Sequence, residues 1–315
     1  MTDSEILVFA GSASRRLTSR ICTHLGVTPA NGEVRRFSEG NLFVQVNQNV
    51  RGQPVYVIQS MAFQPNDSFM ELLFWIDALR RASAESVTVV MPYFSYGKGD
   101  KKDEPRVSIR ARVCADALEA AGAARIVTLD LHAPQIAGFF RVPVDDLYAL
   151  PVLTQKIATL GLRDPVVVSP DAGFVKQARR YADRLDATIA IAYKERRGHD
   201  ESSEVLDLVG LVDGRPAVIV DDFTISGGTI ANAADMLVAH GATAVYAAVS
   251  HGVFAERSME RIEASPIQKL IVTDSVENQP VTLSDRIDVV SVAPLFAEAI
   301  QRIHRRQSVS VLFDQ

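Results

Sequence analysis

Cysteine is scarce: the 315-residue chain has only Cys22 and Cys114, both in helix-like, partly apolar contexts and without ligand-like spacing. Neither a disulfide framework nor a thiolate metal cage is expected, and two buried, reduced thiols suit the cytoplasm. There is no basic surplus, since 33 Lys and Arg stand against 38 Asp and Glu. A net charge of −5 argues against a general nucleic-acid binder. No run approaches the roughly 20 apolar residues of a membrane span. The opening Met1–Glu5 is acidic and leads straight into a strand-like segment, so a signal peptide is not expected. A Gly-x-x-x-x-Gly-Lys-Ser/Thr loop is missing, which argues against a P-loop kinase. What is present is an ordinary globular composition, long enough for one large or two medium cores.

Short apolar runs alternate with amphipathic stretches. Candidate strands are Glu5–Phe9, Pro54–Ile58, Ser86–Met91, Arg125–Leu129, Pro165–Ser169, Ala187–Ala192, Ala217–Val220, Ala244–Val249 and Leu270–Val272. They are rich in Val and Ile and lack clean alternation, as strands buried on both faces do. Between them, Met70–Ala82, Ser108–Ala120, Gly173–Asp183 and Ile230–His240 carry the helical period. This order predicts an α/β fold built on mostly parallel sheets flanked by helices.

The pattern is written twice. Arg51-Gly-Gln-Pro-Val-Tyr-Val-Ile-Gln-Ser60 reads like Asp213-Gly-Arg-Pro-Ala-Val-Ile-Val-Asp-Asp222, and each is followed by a polar loop, a helix and an Ala-rich turn into another strand. Ala124–Asp130 matches Lys269–Asp274 in the same order. Two duplicated domains follow, 1–149 and 150–315, with the last helix, Pro294–Arg305, folding back on the first. The copies diverge at one place: Gln59-Ser60 in the first becomes Asp221-Asp222 and a Gly-rich loop in the second.

That second loop, Asp221-Asp-Phe-Thr-Ile-Ser-Gly-Gly-Thr229, is the sharpest local feature. A strand delivers two carboxylates, then small residues, then a helix. The unpaired N–H groups and dipole of a helix N-terminus favour an anion. Gly227 and Gly228 permit close approach of the backbone, and Ser226 and Thr229 add hydroxyl donors. The acids suit ribose hydroxyls or a divalent ion. A strand end with an ordinary helix cap is the plainer alternative. Acids at the carboxyl edge of a parallel sheet favour a site.

The loop resembles the phosphoribosyl-binding signature of the phosphoribosyltransferases. Further stretches narrow the resemblance to the ribose-phosphate pyrophosphokinase (PRPP synthetase) family. They include Arg36-Phe-Ser-Glu-Gly40, Asn49-Val-Arg-Gly52, Met70-Glu-Leu-Leu73, Met91-Pro-Tyr-Phe-Ser-Tyr96, Asp130-Leu-His-Ala133, Ser169-Pro-Asp171 and Ser308-Val-Ser310. The resemblance implies a phosphoribosyltransferase-type fold and magnesium-dependent transfer of a diphosphate from ATP to the 1-hydroxyl of ribose 5-phosphate, with AMP leaving. It assigns Lys194 and Arg196 to catalysis, and Asp221, Asp222, Ser226, Gly227, Gly228 and Thr229 to the ribose phosphate. His132 and Asp171 become magnesium ligands, the first an unusual type for that ion. Phe37, Glu39, Lys98, Gly99 and Asp100 fall to the nucleotide, although Phe37 also reads as a half-buried strand aromatic. Arg51, Ser308 and Ser310 match positions of an allosteric phosphate and ADP site, and the family forms homo-oligomers, hexamers among them.

Departures gather where the donor should sit. Lys98 and Gly99 replace the family's Arg-Gln, and lysine cannot make the two-pronged contact of arginine with phosphate. Glu39 and Asn41 replace an Asp and a Glu, and Ile225 replaces a polar loop residue. The alternatives are a paralogue with a changed donor or acceptor, and a non-catalytic subunit of an active homologue. Intact Asp171, Lys194, Arg196, Asp221 and Asp222 argue against the latter.

Overall fold

The computed structural model describes residues 5–194, 205–255, 257–277 and 282–313. They form two compact units: Met1–Tyr148 with Ser275–Glu277 and Val292–Gln315, and Ala149–Asp274 with Asn278–Ser291.

The first unit opens with β1 (Leu7–Ala10), α1 (Arg15–Leu25) and an antiparallel hairpin of β2 (Gly32–Arg36) and β3 (Leu42–Val46). It continues through β4 (Pro54–Ile58), α2 (Pro65–Arg81), β5 (Ser86–Met91), α3 (Arg110–Ala121), β6 (Arg125–Leu129) and β7 (Val144–Leu147). The five-stranded sheet runs β1-β4-β5-β6-β7, with every pairing parallel. Leu72, Trp75, Ile76 and Leu79 of α2 are fully buried, at the spacing that puts one helical stripe on a sheet. Phe9 of β1 packs on Trp75 with ring centroids 5.4 Å apart. Large side chains buried this completely each contribute about 2–3 kcal/mol.

The second unit comprises α4 (Leu150–Ala158), β8 (Val166–Ser169), α5 (Val175–Leu185), β9 (Thr188–Lys194), β10 (Val205–Val209), β11 (Pro216–Thr224), α6 (Gly228–Ala239), β12 (Ala244–Gly252), α7 (Ser258–Ala264), β13 (Ile267–Thr273) and β14 (Ile287–Val290). Its sheet runs β10-β9-β8-β11-β12-β13-β14, antiparallel only between β10 and β9. The final helix, α8 (Ala293–His304), lies in the first unit against α1, burying Ala293, Phe296, Ala297 and Ile300.

The units repeat one plan. The run β1, α1, hairpin, β4, α2, β5, α3, β6, β7 corresponds element by element to β8, α5, β9–β10, β11, α6, β12, α7, β13, β14. One strand differs from the sequence expectation where it matters. β11 does not stop at Val220 but continues to Thr224, because β12 keeps pairing with it through Thr224↔Gly252. The acid pair therefore lies inside the strand.

Candidate active site

In the second unit the chain passes from β8 to β9 on one side, and later returns to β11 on the other. Such a reversal opens a crevice at the carboxyl ends of the two central strands. β8 pairs with β11 only as far as Val168↔Ile219, while β12 carries β11 five residues further. Past Ile219, β11 therefore has no strand on its β8 side. Asp221 and Asp222 sit in that stretch, and Asp171 follows the end of β8 across the crevice.

Asp222 is buried and its Oδ1 accepts from the Phe223 N–H at 2.9 Å, while Asp221 Oδ1 accepts from the Asp222 N–H at 3.0 Å. Burial, and then the charges of Asp222 and Asp171, hold the Asp221 carboxyl well above its usual range. Asp171 Oδ1 accepts from the Gly173 and Phe174 N–H groups at 2.8 and 3.1 Å, fixing it at the entry to α5. The charges of Asp171 and Asp222 thus reach Asp221, and such a group of carboxylates suits a hard cation or hydroxyl donors. Among the described residues no three His, Cys, Asp or Glu side chains form a ready-made metal cage.

The phosphate loop follows directly. Gly227 has φ +73°, a left-handed conformation that L side chains rarely adopt, and α6 starts at Gly228. The twelve-residue helix presents its first N–H groups at this end. Ser226 and Ile225 are exposed, and the Ser226 carbonyl accepts from Arg261 Nη1 of α7 at 3.3 Å. A Cβ on Gly228 would stand 3.5 Å from Ser226 Oγ and 3.6 Å from Arg261 Nη1. Arg261 is thus a cation beside the loop that sequence inspection passed over; thirty-five residues separate it from Ser226.

Lys194 ends β9, whose pairing Ser169↔Ile191 puts that end at the same carboxyl edge as Asp171. Arg196 lies outside the described residues. The second unit accordingly brings together Asp171, Asp221, Asp222, the 226–229 loop and the backbone of Lys194.

The corresponding place in the first unit is filled. Gln59 and Ser60, where the other copy has its acids, are buried. Gln59 Oε1 accepts from the Ala13 N–H at 3.1 Å, and Ser14 Oγ accepts from the Ser60 N–H at 2.8 Å. Glu71 is buried and accepts from the Ser12 N–H at 2.8 Å, from the Ser12 hydroxyl and from Trp75 Nε1. These groups satisfy one another.

The remaining candidates of that unit lie apart in its loops. Phe37 and Glu39 occupy the turn between β2 and β3; Phe37 is 50% exposed, a turn aromatic rather than a half-buried strand residue. Arg36 ties the turn to α2 through Asp67 at 2.5 Å, and Asn41 bonds the Glu39 carboxylate. Lys98 ends a short 3-10 turn with its Nζ 5.8 Å from the Tyr93 ring centre. Gly99 has a packing reason: any Cβ would meet Arg110 Nε at 2.5 Å. Asp100 is 9% exposed and accepts from Gln135 Nε2 at 3.2 Å. His132 is exposed in the loop after β6. Asp146 of β7 holds that loop, accepting from Thr128 Oγ1 at 2.8 Å and the Leu131 N–H at 3.1 Å. Burial pushes the Asp146 carboxyl up to about 6. Asp146 was missed because only β7's register brings it beside Thr128. Arg51 is exposed, and no hydrogen bond or ion pair joins it to Ser308 or Ser310, whose hydroxyls bond each other at 2.6 Å.

Two family models match the chain: the N-terminal domain of ribose phosphate pyrophosphokinase over residues 6–122, and the phosphoribosyl synthetase-associated domain over residues 200–314. A ribose-phosphate pyrophosphokinase of Rhizobium meliloti is 44% identical over 311 residues, 98% of this chain and 99% of the relative. One from Bacillus cereus is 44% identical over 312 residues, 99% and 98% of the two chains. The crystal structure of a phosphoribosylpyrophosphate synthetase from Mycobacterium smegmatis superposes with a TM-score of 0.90 at 36% identity, covering 96% of this chain and 99% of that one. This likeness over nearly the whole of both chains defines an enzyme of the ribose-phosphate pyrophosphokinase class. The chain belongs to the ribose-phosphate pyrophosphokinase family.

Proposed function

We propose that the protein transfers the diphosphate of ATP to the 1-hydroxyl of ribose 5-phosphate, with magnesium, giving 5-phosphoribosyl 1-diphosphate and AMP. The observation that carries this reading is the glycine-rich start of α6 set beside three converging carboxylates at an open sheet edge. The N–H groups of residues 227–229 and the hydroxyls of Ser226 and Thr229 bind the 5-phosphate. Asp221 and Asp222 accept hydrogen bonds from the ribose hydroxyls and so orient the anomeric oxygen. Magnesium, when bound, neutralises charge on the diphosphate; Asp171 and His132 are the side chains that would hold it. Lys194 and Arg196 stabilise charge on the transferring group, and Phe37, Glu39, Lys98, Gly99 and Asp100 serve the nucleotide. Positioning and electrostatics supply most of the acceleration in such transfers. Ile225 is tolerated, because backbone N–H groups do most of the phosphate binding. The reading includes a cytoplasmic homo-oligomer and an allosteric phosphate site at Arg51, Ser308 and Ser310. Among the described residues no helix is long and apolar enough to cross a membrane.

A changed donor is the second reading, and a specific observation favours it. Asn41 engages the Glu39 carboxylate and the Arg110 side chain fills the space beside Gly99, so three of the altered positions are held by contacts within the chain. Incubation with magnesium, ribose 5-phosphate and each nucleoside triphosphate, with products identified by mass, separates the readings. Turnover fastest with ATP supports the first; turnover fastest with another triphosphate supports the second. No transfer from any of them sinks both.

A further inference from the structure

The first unit holds a cavity at the edge of its sheet opposite His132. It is lined by the amino ends of β4, β5 and β6 and the end of α8. Its volume is about 290 Å³, near the lower end of small-molecule sites. Val55, Val57, Val87, Val89 and Ile126 point to the core under α2 and α3. Tyr56, Thr88 and Arg125, offset by one residue, point to the other face, as strand alternation requires. Close packing there would call for apolar side chains, yet these line a cavity.

Tyr56 is 1% exposed and Thr88 6% exposed. Neither hydroxyl makes a hydrogen bond among the described residues, and neither oxygen is sealed from solvent, so both can donate into the cavity. Basic side chains surround them. Arg125 lines the cavity while pairing with Asp145, and the His304 ring lies 6.3 Å from that of Tyr56. Arg306 follows the last turn of α8 in a left-handed conformation, φ +56°, and forms no ion pair among the described residues. Burial raises the phenol of Tyr56, so its hydroxyl stays a donor at neutral pH. Glu85 is the one acid of the lining.

We propose that this cavity is a binding site for a small phosphate monoester, distinct from the crevice of the second unit. The phosphate sits among Arg125, His304 and Arg306, taking hydrogen bonds from Tyr56 and Thr88. Two arginines offer the forked donors that phosphate oxygens accept, and Glu85 takes a hydroxyl of the ester's body. A cavity of this size admits a sugar phosphate or nucleoside monophosphate.

The test is calorimetric titration of the full-length protein with AMP, glucose 6-phosphate and inorganic phosphate. It is repeated on the hydroxyl-deleting pair Tyr56→Phe/Thr88→Val and on Arg306→Gln. One class of sites should weaken at least tenfold in both variants, with thermal unfolding within a few degrees of wild type. Comparing the esters with bare phosphate shows whether the body of the ester is read. Wild-type titrations that show no such site, or a site unchanged in folded variants, would overturn the proposal. Should the hydroxyl pair fail to fold, Arg306→Gln, on an exposed residue, decides alone.

Discussion

Gly227 and Gly228 are neighbours with opposite structural demands, and substituting each by alanine separates folding from binding. At Gly227 the φ of +73° places an L side chain in the left-handed region, which costs about 1–2 kcal/mol. A Cβ there would also meet Ile262 Cγ1 at 3.3 Å, so that neighbour must give way. With about 2–4 °C per kcal/mol for a domain of this size, Gly227→Ala should lower Tm by roughly 2–8 °C. Gly228 opens α6 with only ordinary contacts around a new Cβ, and alanine there gains up to about 1 kcal/mol of helix propensity. Its methyl would intrude between Ser226 Oγ and Arg261 Nη1, where the phosphate is read to lie. Losing one charge-assisted hydrogen bond, about 1.5–3 kcal/mol, weakens ribose 5-phosphate at least roughly tenfold. Differential scanning calorimetry and calorimetric titration with ribose 5-phosphate read the two effects. A Gly228→Ala protein with unchanged Tm and wild-type affinity would refute the phosphate cradle, and an undisturbed Tm for Gly227→Ala would refute the strain argument.

Three further substitutions probe the same account. Asp221→Asn removes a carboxylate whose folded form resists ionisation, so the ligand-free protein should melt higher at pH 8 while ribose 5-phosphate affinity falls; a lower Tm would contradict the charge argument. Asp146, raised from 3.8 to about 6, contributes stability present below its unfolded value and lost as pH rises through the folded value. Relative to Asp146→Asn, the wild type should therefore lose roughly 2.5 kcal/mol between pH 4 and 7, read by urea unfolding, and a flat difference would exclude the assignment. Arg261→Gln should raise KM for ribose 5-phosphate several-fold with Tm nearly unchanged, and an unaltered KM would make its contact with the loop merely structural.

The parallel sheets were legible because continuous Val and Ile runs such as Ser86–Met91 have few other homes, and that strand has the expected bounds. The loop after Asp222 was legible for a related reason: two glycines behind two acids answer to few structural needs. The hairpin of β2 and β3 was not, since Glu33-Val-Arg-Arg36 alternates on an exposed ribbon without an apolar run. Arg261 and Asp146 were invisible because their contacts depend on register and helix placement rather than spacing. Gly99 reads in sequence as a donor-site loss, and only the fold shows that the Arg110 side chain fills the space beside it.

The central claim is that a diphosphate moves as a unit. The direct measurement uses ATP labelled separately at the β- and γ-phosphorus, with magnesium and ribose 5-phosphate, and follows each label into the sugar product and the nucleotide. Diphosphate transfer puts both labels on the sugar and leaves unlabelled AMP. A γ-label on the sugar with the β-label retained in ADP would make the protein a simple phosphokinase and contradict the account.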